Sequence, residues 1–264
     1  MAIVKKYKPG QFCWADLGTT DVAAAKKFYR SIFGWSARDI PMGEGSVYSM
    51  LEIKGKEICA LYPMDSGQKK AKVPPFWLPY IAVANVDRTV KKAKAAGAIL
   101  CLDPHDVPGA GRMAILQDPT GARFAIWQAR GNIGTKLSAV PGTVGWHDLS
   151  TAKTAAAAKF YAKVFGWKVK TMDFSGNSYY MFKLGNQGLG GIWPQPLPNH
   201  PPAWFTYWFV KSCARTVAKA KRLRGKVVLG PITVPETCQF AIIRDPQGAA
   251  FGVLEPIGRS RQFG

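Results

Sequence analysis

Residues Phe12 to Trp35 read FCWADLGTTDVAAAKKFYRSIFGW, and their order decides the local fold. Phe12 to Leu17 suits a strand, with Trp14 and Asp16 on one face and Cys13 and Ala15 on the other. Asp21 has the chemistry of a helix N-cap, a short carboxylate that accepts from the free amides of a first turn. Val22, Ala25, Tyr29 and Ile32 then recur at intervals of three and four, with Phe28 and Phe33 beside them. That stripe belongs on a sheet, and Lys26, Lys27 and Arg30 mark the wet side. Gly34 is a natural stop.

Three short strands are expected next, at Trp35–Ile40, Ser46–Ile53 and Glu57–Tyr62, so the unit is β-α-β-β-β. Pro63 to Pro75 is a Lys-, Gly- and Pro-rich loop. The same order then recurs. Trp77–Ala84 is a strand, Val86–Ala96 a helix stopped by Gly97, and Ile99–Leu102, Arg112–Gln117 and Ala122–Gln128 are strands. The last two are joined by a turn at Asp118-Pro119-Thr120-Gly121.

The opening stretch itself returns. Gly145 to Trp167 reads GWHDLSTAKTAAAAKFYAKVFGW, with Trp14 matching Trp146 and Phe28 matching Phe160, both 132 residues on. A repeat of that length is a duplicated domain rather than a solenoid unit. Ser178-Tyr179-Tyr180-Met181 takes the place of Ser46-Val47-Tyr48-Ser49. Trp204 matches Trp77, and Asp245-Pro246-Gln247-Gly248 matches the first Asp-Pro turn, both 127 residues on. The offset falls because the second central loop is shorter, a change loops tolerate and elements do not. The expected fold is α+β: four βαβββ units in two pairs, each pair a curled mixed sheet with helices outside. The expected domains are residues 8–130 and 143–257, with a linker at 131–142 and a basic tail at 258–264.

The chain has 264 residues, 47% of them hydrophobic, enough for two cores. No apolar run is long enough to cross a bilayer. MAIVKKYKPG at the N-terminus lacks the apolar centre of a secretory signal. Five scattered cysteines with no CxxC argue against a disulfide framework or structural zinc and suit a reducing cytoplasm. The formal charge of +20 favours encounters with anions. Lys211, Arg215, Lys219, Arg222 and Lys226 form one stripe at helical spacing, read here as a solvated face, because no nucleic-acid recognition motif accompanies it.

The paired units, the FY..(I/V)FGW helix ends and the DP.G turns resemble the vicinal oxygen chelate superfamily of glyoxalases, bleomycin-resistance proteins and extradiol dioxygenases. WADL, GSVYSM, YIAVANVD, AGRMAILQDPTGA and DPQGAAFGVLEP carry the resemblance from Pro9 to Pro256. They are similar to a two-domain actinobacterial branch that includes a mycobacterial antigen. The resemblance implies metal ligands at four inward strand positions per half. These fall on Trp14, on or next to Cys59, on Leu78 and on Ala125, and in the second half on Trp146, Gly190, Phe205 and Gly252. Such metals need His or carboxylate donors. No metal or cofactor is therefore expected.

If Trp14 points into a cup, alternation carries Asp16 inward as well. The matching sets are Leu78 with Tyr80, Trp146 with Asp148, and Phe205 with Tyr207. Such aromatics are commonly core. They also suit a flat or partly apolar small molecule, aromatic or anionic, bound by a monomer whose repeat supplies the paired modules. The expected function is metal-independent small-molecule binding, with nucleic acid and membrane not expected as partners. The alternative is a lyase, isomerase or oxygenase-like enzyme with Asp16 or Asp148 as general base. A carboxylate in an apolar cup needs a partner, and Arg112 is the candidate for Asp16. His147 falls on the face opposite the cup, while His105 and His200 lie in Pro-rich loops, so packing or surface roles are expected for all three.

Overall fold

Asp21 and Gly34 frame the first helix as their chemistry requires. The Asp21 carboxylate accepts from the Ala24 amide at 2.9 Å, and Gly34 ends the helix in the left-handed region at φ 76°. The computed structural model describes residues 2–43, 45–174, 177–194 and 201–257. The first half contains β1 (Ala2–Ile3), β2 (Phe12–Thr19), α1 (Val22–Phe33), β3 (Ser36–Pro41), β4 (Val47–Ile53), β5 (Lys56–Pro63), α2 (Ser66–Lys70), β6 (Phe76–Ala82), α3 (Val86–Lys94), β7 (Ile99–Val107), β8 (Gly111–Gln117) and β9 (Arg123–Ala129). After β10 (Leu137–Ser138), the second half contains β11 (Val144–Ser150), α4 (Thr154–Phe165), β12 (Lys168–Phe174), β13 (Asn177–Leu184), β14 (Gln187–Trp193), β15 (Ala203–Phe209), α5 (Cys213–Arg222), β16 (Lys226–Val234), β17 (Cys238–Arg244) and β18 (Ala250–Pro256).

Each half folds into its own mixed sheet of eight strands. The orders are β3-β4-β5-β2-β6-β9-β8-β7 and β12-β13-β14-β11-β15-β18-β17-β16, the same sequence of units in each. The first strands of the two units meet antiparallel at the centre, Trp14 opposite Tyr80 and Trp146 opposite Tyr207. Each pairs in parallel with the last strand of its own unit. Irregularities between Phe12 and Trp14, and between Val144 and Trp146, interrupt the central ladders just before the inward tryptophans. Bulges of this kind re-aim a side chain at the rim of a curled sheet.

The outer faces of the sheets carry the helices, and the helices join the halves. One core sets Ala15, Leu17, Phe28 and Tyr29 against Trp208, Val217 and Phe251 of the other half. The other sets Val90, Leu116 and Phe124 against Phe160, Tyr161 and Trp167. The FY pairs and DP.G turns of the sequence meet here. Tyr29 donates to Asp245 and receives the Trp77 indole N–H, at 2.9 and 3.0 Å. Tyr161 does the same with Asp118 and Trp204, at 2.9 and 2.8 Å. The free oxygen of each turn aspartate is occupied by amides of its own turn.

Several local expectations are corrected. The loop from Pro63 to Pro75 contains α2, held by a capping box of Asp65 and Gln68. The stretch from residue 131 to 142 runs between the two sheets and is anchored to them. Thr135 bonds Cys13 and Ile58, Leu137 is buried in the core, and β10 pairs with β1. The basic stripe is not confined to one helix, because Lys211 precedes α5 and Lys226 lies in β16. His105 sits in β7 rather than in a loop. His200 and the tail from 258 lie outside the described residues. Among the described residues, no helix is long and apolar enough to cross a membrane.

Candidate functional site

The inner face of the first sheet is built by period-two alternation on five strands. Trp14 and Asp16 come from β2, Leu78 and Tyr80 from β6, Met50 and Tyr48 from β4, and Met113 and Trp127 from β8 and β9. Asp16 collects the polar groups. Trp14 Nε1 and Tyr48 OH donate to its Oδ1 at 2.7 Å each, and Tyr80 OH donates to its Oδ2 at 2.7 Å. With 3% of its surface exposed, Asp16 is closed off from solvent. Burial raises its pKa against the opposing effect of the three donors.

The second sheet repeats the arrangement. Tyr179 OH donates to Asp148 Oδ1 at 2.6 Å, and Trp146 Nε1 reaches the same oxygen at 3.0 Å. Tyr207 and the Gly191 amide also bond the carboxylate. Here the aspartate is half-buried and lines a cavity of about 80 Å³. Met181, Trp193, Phe205, Phe240 and Leu254 are among the residues of its apolar wall. Burial pushes Asp148 up to about 6, and the Tyr179, Trp146 and Tyr207 hydrogen bonds pull the other way. Two glycines deepen this cup. A side chain at Gly191 would collide with Tyr179 OH and one at Gly252 with the Tyr207 ring, so both phenols rest on bare backbone. The first half has Ala60 and Ala125 at those positions.

Trp14, Leu78, Tyr80, Trp146, Phe205 and Tyr207 thus lie where the alternation puts them, around Asp16 and Asp148. Arg112 does not. It shares the outer face of β8 with Ala114 and Leu116, and its guanidinium pairs with Asp87 and Asp106 at 2.8 and 3.1 Å. Asp16 is partnered by phenols and an indole instead. Sequence reasoning missed Tyr48 and Tyr179, although both strands show a tyrosine beside a serine.

The inward residue on β5 is Ala60, which pairs with Asp16, whereas Cys59 packs in the core between the halves. Gly191, not Gly190, pairs with Asp148. His147 is buried, stacks on Phe12 with ring centroids 3.9 Å apart, and lies 3.3 Å from Thr206 Oγ1. Burial brings its pKa down to about 3, which keeps it neutral. The strand positions that the resemblance assigns to metal ligands hold Trp14, Ala60, Leu78 and Ala125, and Trp146, Gly191, Phe205 and Gly252. These side chains offer no donor that fits a divalent cation, and the one carboxylate per cup is already bonded by phenol and indole. Among the described residues, no three His, Cys, Asp or Glu gather into a metal-binding group.

Comparison with known proteins agrees with the architecture. The profile of the Glyoxalase/Bleomycin resistance protein/Dioxygenase superfamily matches residues 11–126 and again 143–253. A Mycobacterium bovis protein named "Putative glyoxylase CFP32" is 40% identical over 253 residues, covering 95% of this chain and 97% of its own. The anthracycline biosynthesis protein DnrV of Streptomyces peucetius is 31% identical over 261 residues, covering 95% and 94%. Among solved structures, the Mn(II)-bound glyoxalase from Novosphingobium aromaticivorans superposes with a TM-score of 0.66 at 17% identity, over 97% of this chain and 86% of that one. The 2,3-dioxygenase LapB from Pseudomonas sp. KL28 gives 0.65 at 14%, over 100% and 97%. Two tandem βαβββ pairs, repeated motifs and matched relatives along nearly the whole chain lead to one assignment: the protein belongs to the glyoxalase/bleomycin resistance/dioxygenase superfamily.

Proposed function

We propose that this chain binds a small, flat, partly apolar organic molecule in the second cup, without a metal. The observation that carries this reading is the contrast between the two carboxylates. Asp16 is sealed under its cup, while Asp148 opens on an apolar cavity. A ligand ring would stack on Trp193 or Phe205, and a ligand hydroxyl would donate to Asp148 or to a phenol oxygen that already gives its proton to Asp148. Chelation has no part in this reading, given the residues at the superfamily's ligand positions. The name of one relative places it in anthracycline biosynthesis, and one hydroxylated ring of a larger aromatic is what a cavity of about 80 Å³ would accept.

The test is a titration of chelator-dialysed protein with dihydroxyanthraquinone, followed by tryptophan fluorescence. Saturable binding is expected, weakened about tenfold by Asp148→Asn and unchanged by Asp16→Asn. A requirement for stoichiometric Fe, Mn, Ni or Zn would refute the reading.

The raised pKa of Asp148 supports a second reading, in which the same cup is catalytic. A carboxylate with a pKa of about 6 is a competent base near neutrality. A ligand proton would pass to Asp148 directly, or to Tyr207 oxygen as Tyr207 passes its own to Asp148. Turnover should then rise with pH through about 6, and Asp148→Asn should abolish it while binding persists. Bound ligand that is returned chemically unchanged leaves sequestration as the function.

A further inference from the structure

The two ends of the seam between the halves carry matching grooves whose charges differ. One groove lies between the end of α1 and the start of α5, lined by Phe33, Gly142, Lys211, Ser212, Arg215 and Lys219, with Arg30 across from them. Its twin lies between the end of α4 and the start of α3, lined by Phe165, Gly10, Ala84, Asn85, Arg88 and Lys92. The residues correspond one to one through the repeat. Both grooves hold the Arg and Lys one helical turn apart, Arg215 with Lys219 and Arg88 with Lys92. Only the first adds Lys211 where the twin has Ala84, and Arg30 where the repeat has Ala162. It is also the larger, about 800 Å³ against about 220 Å³.

All four cations of the larger groove are exposed, and none forms an ion pair among the described residues. The nearby Glu255 caps the Cys213 amide at 2.7 Å from β18 and does not line the groove. Ser212 Oγ accepts from the Arg215 amide, which leaves its own proton to give. Four like charges held around one concavity repel each other unless an anion joins them. Since the twin groove folds with two, folding does not require the second pair.

We propose that this groove is a binding site for a small polyphosphate anion, separate from the cups. Two guanidinium forks and two ammonium groups match a ligand with several charged oxygens better than a single carboxylate.

Isothermal titration of the full-length protein with inorganic tripolyphosphate tests this. One site is expected, its affinity falling as salt rises. Arg30→Ala with Lys211→Ala, which gives the groove the composition of its twin, should weaken binding about tenfold or more. Arg88→Ala with Lys92→Ala in the twin should change it less than about twofold. Both double variants alter exposed side chains, and thermal unfolding checks that they fold. The proposal is overturned by absence of saturable binding at millimolar ligand, by affinity that the first double variant leaves intact, or by equal losses from both. It is also overturned if duplex DNA binds and competes with equal sensitivity to all four substitutions, which would make the charge a diffuse nucleic-acid surface.

Discussion

At Asp148, desolvation opposes the charged form while three side-chain donors favour it, and desolvation prevails. The effect on stability has a definite sign. An aspartate in an unfolded chain titrates near pH 3.9, and this one folds with a pKa of about 6. Between those values the folded state binds more protons, so stability falls as pH rises and the loss is complete above about pH 6. Two units correspond to about 3 kcal/mol, and partial exposure to the cavity brings the expected figure nearer 1–2 kcal/mol. Asp148→Asn should therefore raise the melting temperature at neutral pH, and the gain should vanish near pH 4. Calorimetry of the two proteins across that range measures it. A loss of stability at neutral pH would mean that the phenol and indole hydrogen bonds outweigh burial.

Helix ends differ between the repeats in a way that gives a second prediction. Asp21 caps α1, but α4 begins after Lys153, which makes no side-chain cap bond. Lys153→Asp should stabilise the protein by about 1 kcal/mol, read as a shift in the denaturant midpoint. Caps, helix stripes and strand alternation were legible in the sequence because each depends on residues within a few positions. The residues missed at the site depend on pairing between strands. Equal spacing from the opening motif sets Tyr48 against Tyr180, but the sheets pair Met50 with Ala60 and Met181 with Gly191, so Tyr179 is its true counterpart. A one-residue slip in a strand exchanges its faces, which is why Tyr180 leaves the cup and Tyr179 enters. Which face of β8 turns inward is likewise set by pairing, with Ile115 opposite Ala125 of β9. The inward residues of β8 are Met113 and Ile115, so alternation within that strand turns Arg112 outward.

Across the whole molecule, the halves are joined by buried polar bonds as well as by apolar area. Tyr29→Phe removes the hydroxyl shared by Asp245 and the Trp77 indole, and Tyr161→Phe removes that shared by Asp118 and Trp204. Each should cost about 1–3 kcal/mol, because buried partners are left unsatisfied. Thermal unfolding should remain a single transition, since each core draws on both halves. A biphasic melt in either variant would show the halves to be independent. The crossed bonds have one more consequence. Tyrosine of the first half meets aspartate of the second, and tyrosine of the second meets aspartate of the first, which is the reciprocity of an isologous two-fold interface. Each half carries both members of the bond, so two copies of one half could make it between them. The chain therefore makes within itself the reciprocal contacts that a symmetric dimer makes between subunits. Because both halves lie on one chain, the two cups and the two grooves need not be identical, as they would be in a symmetric dimer.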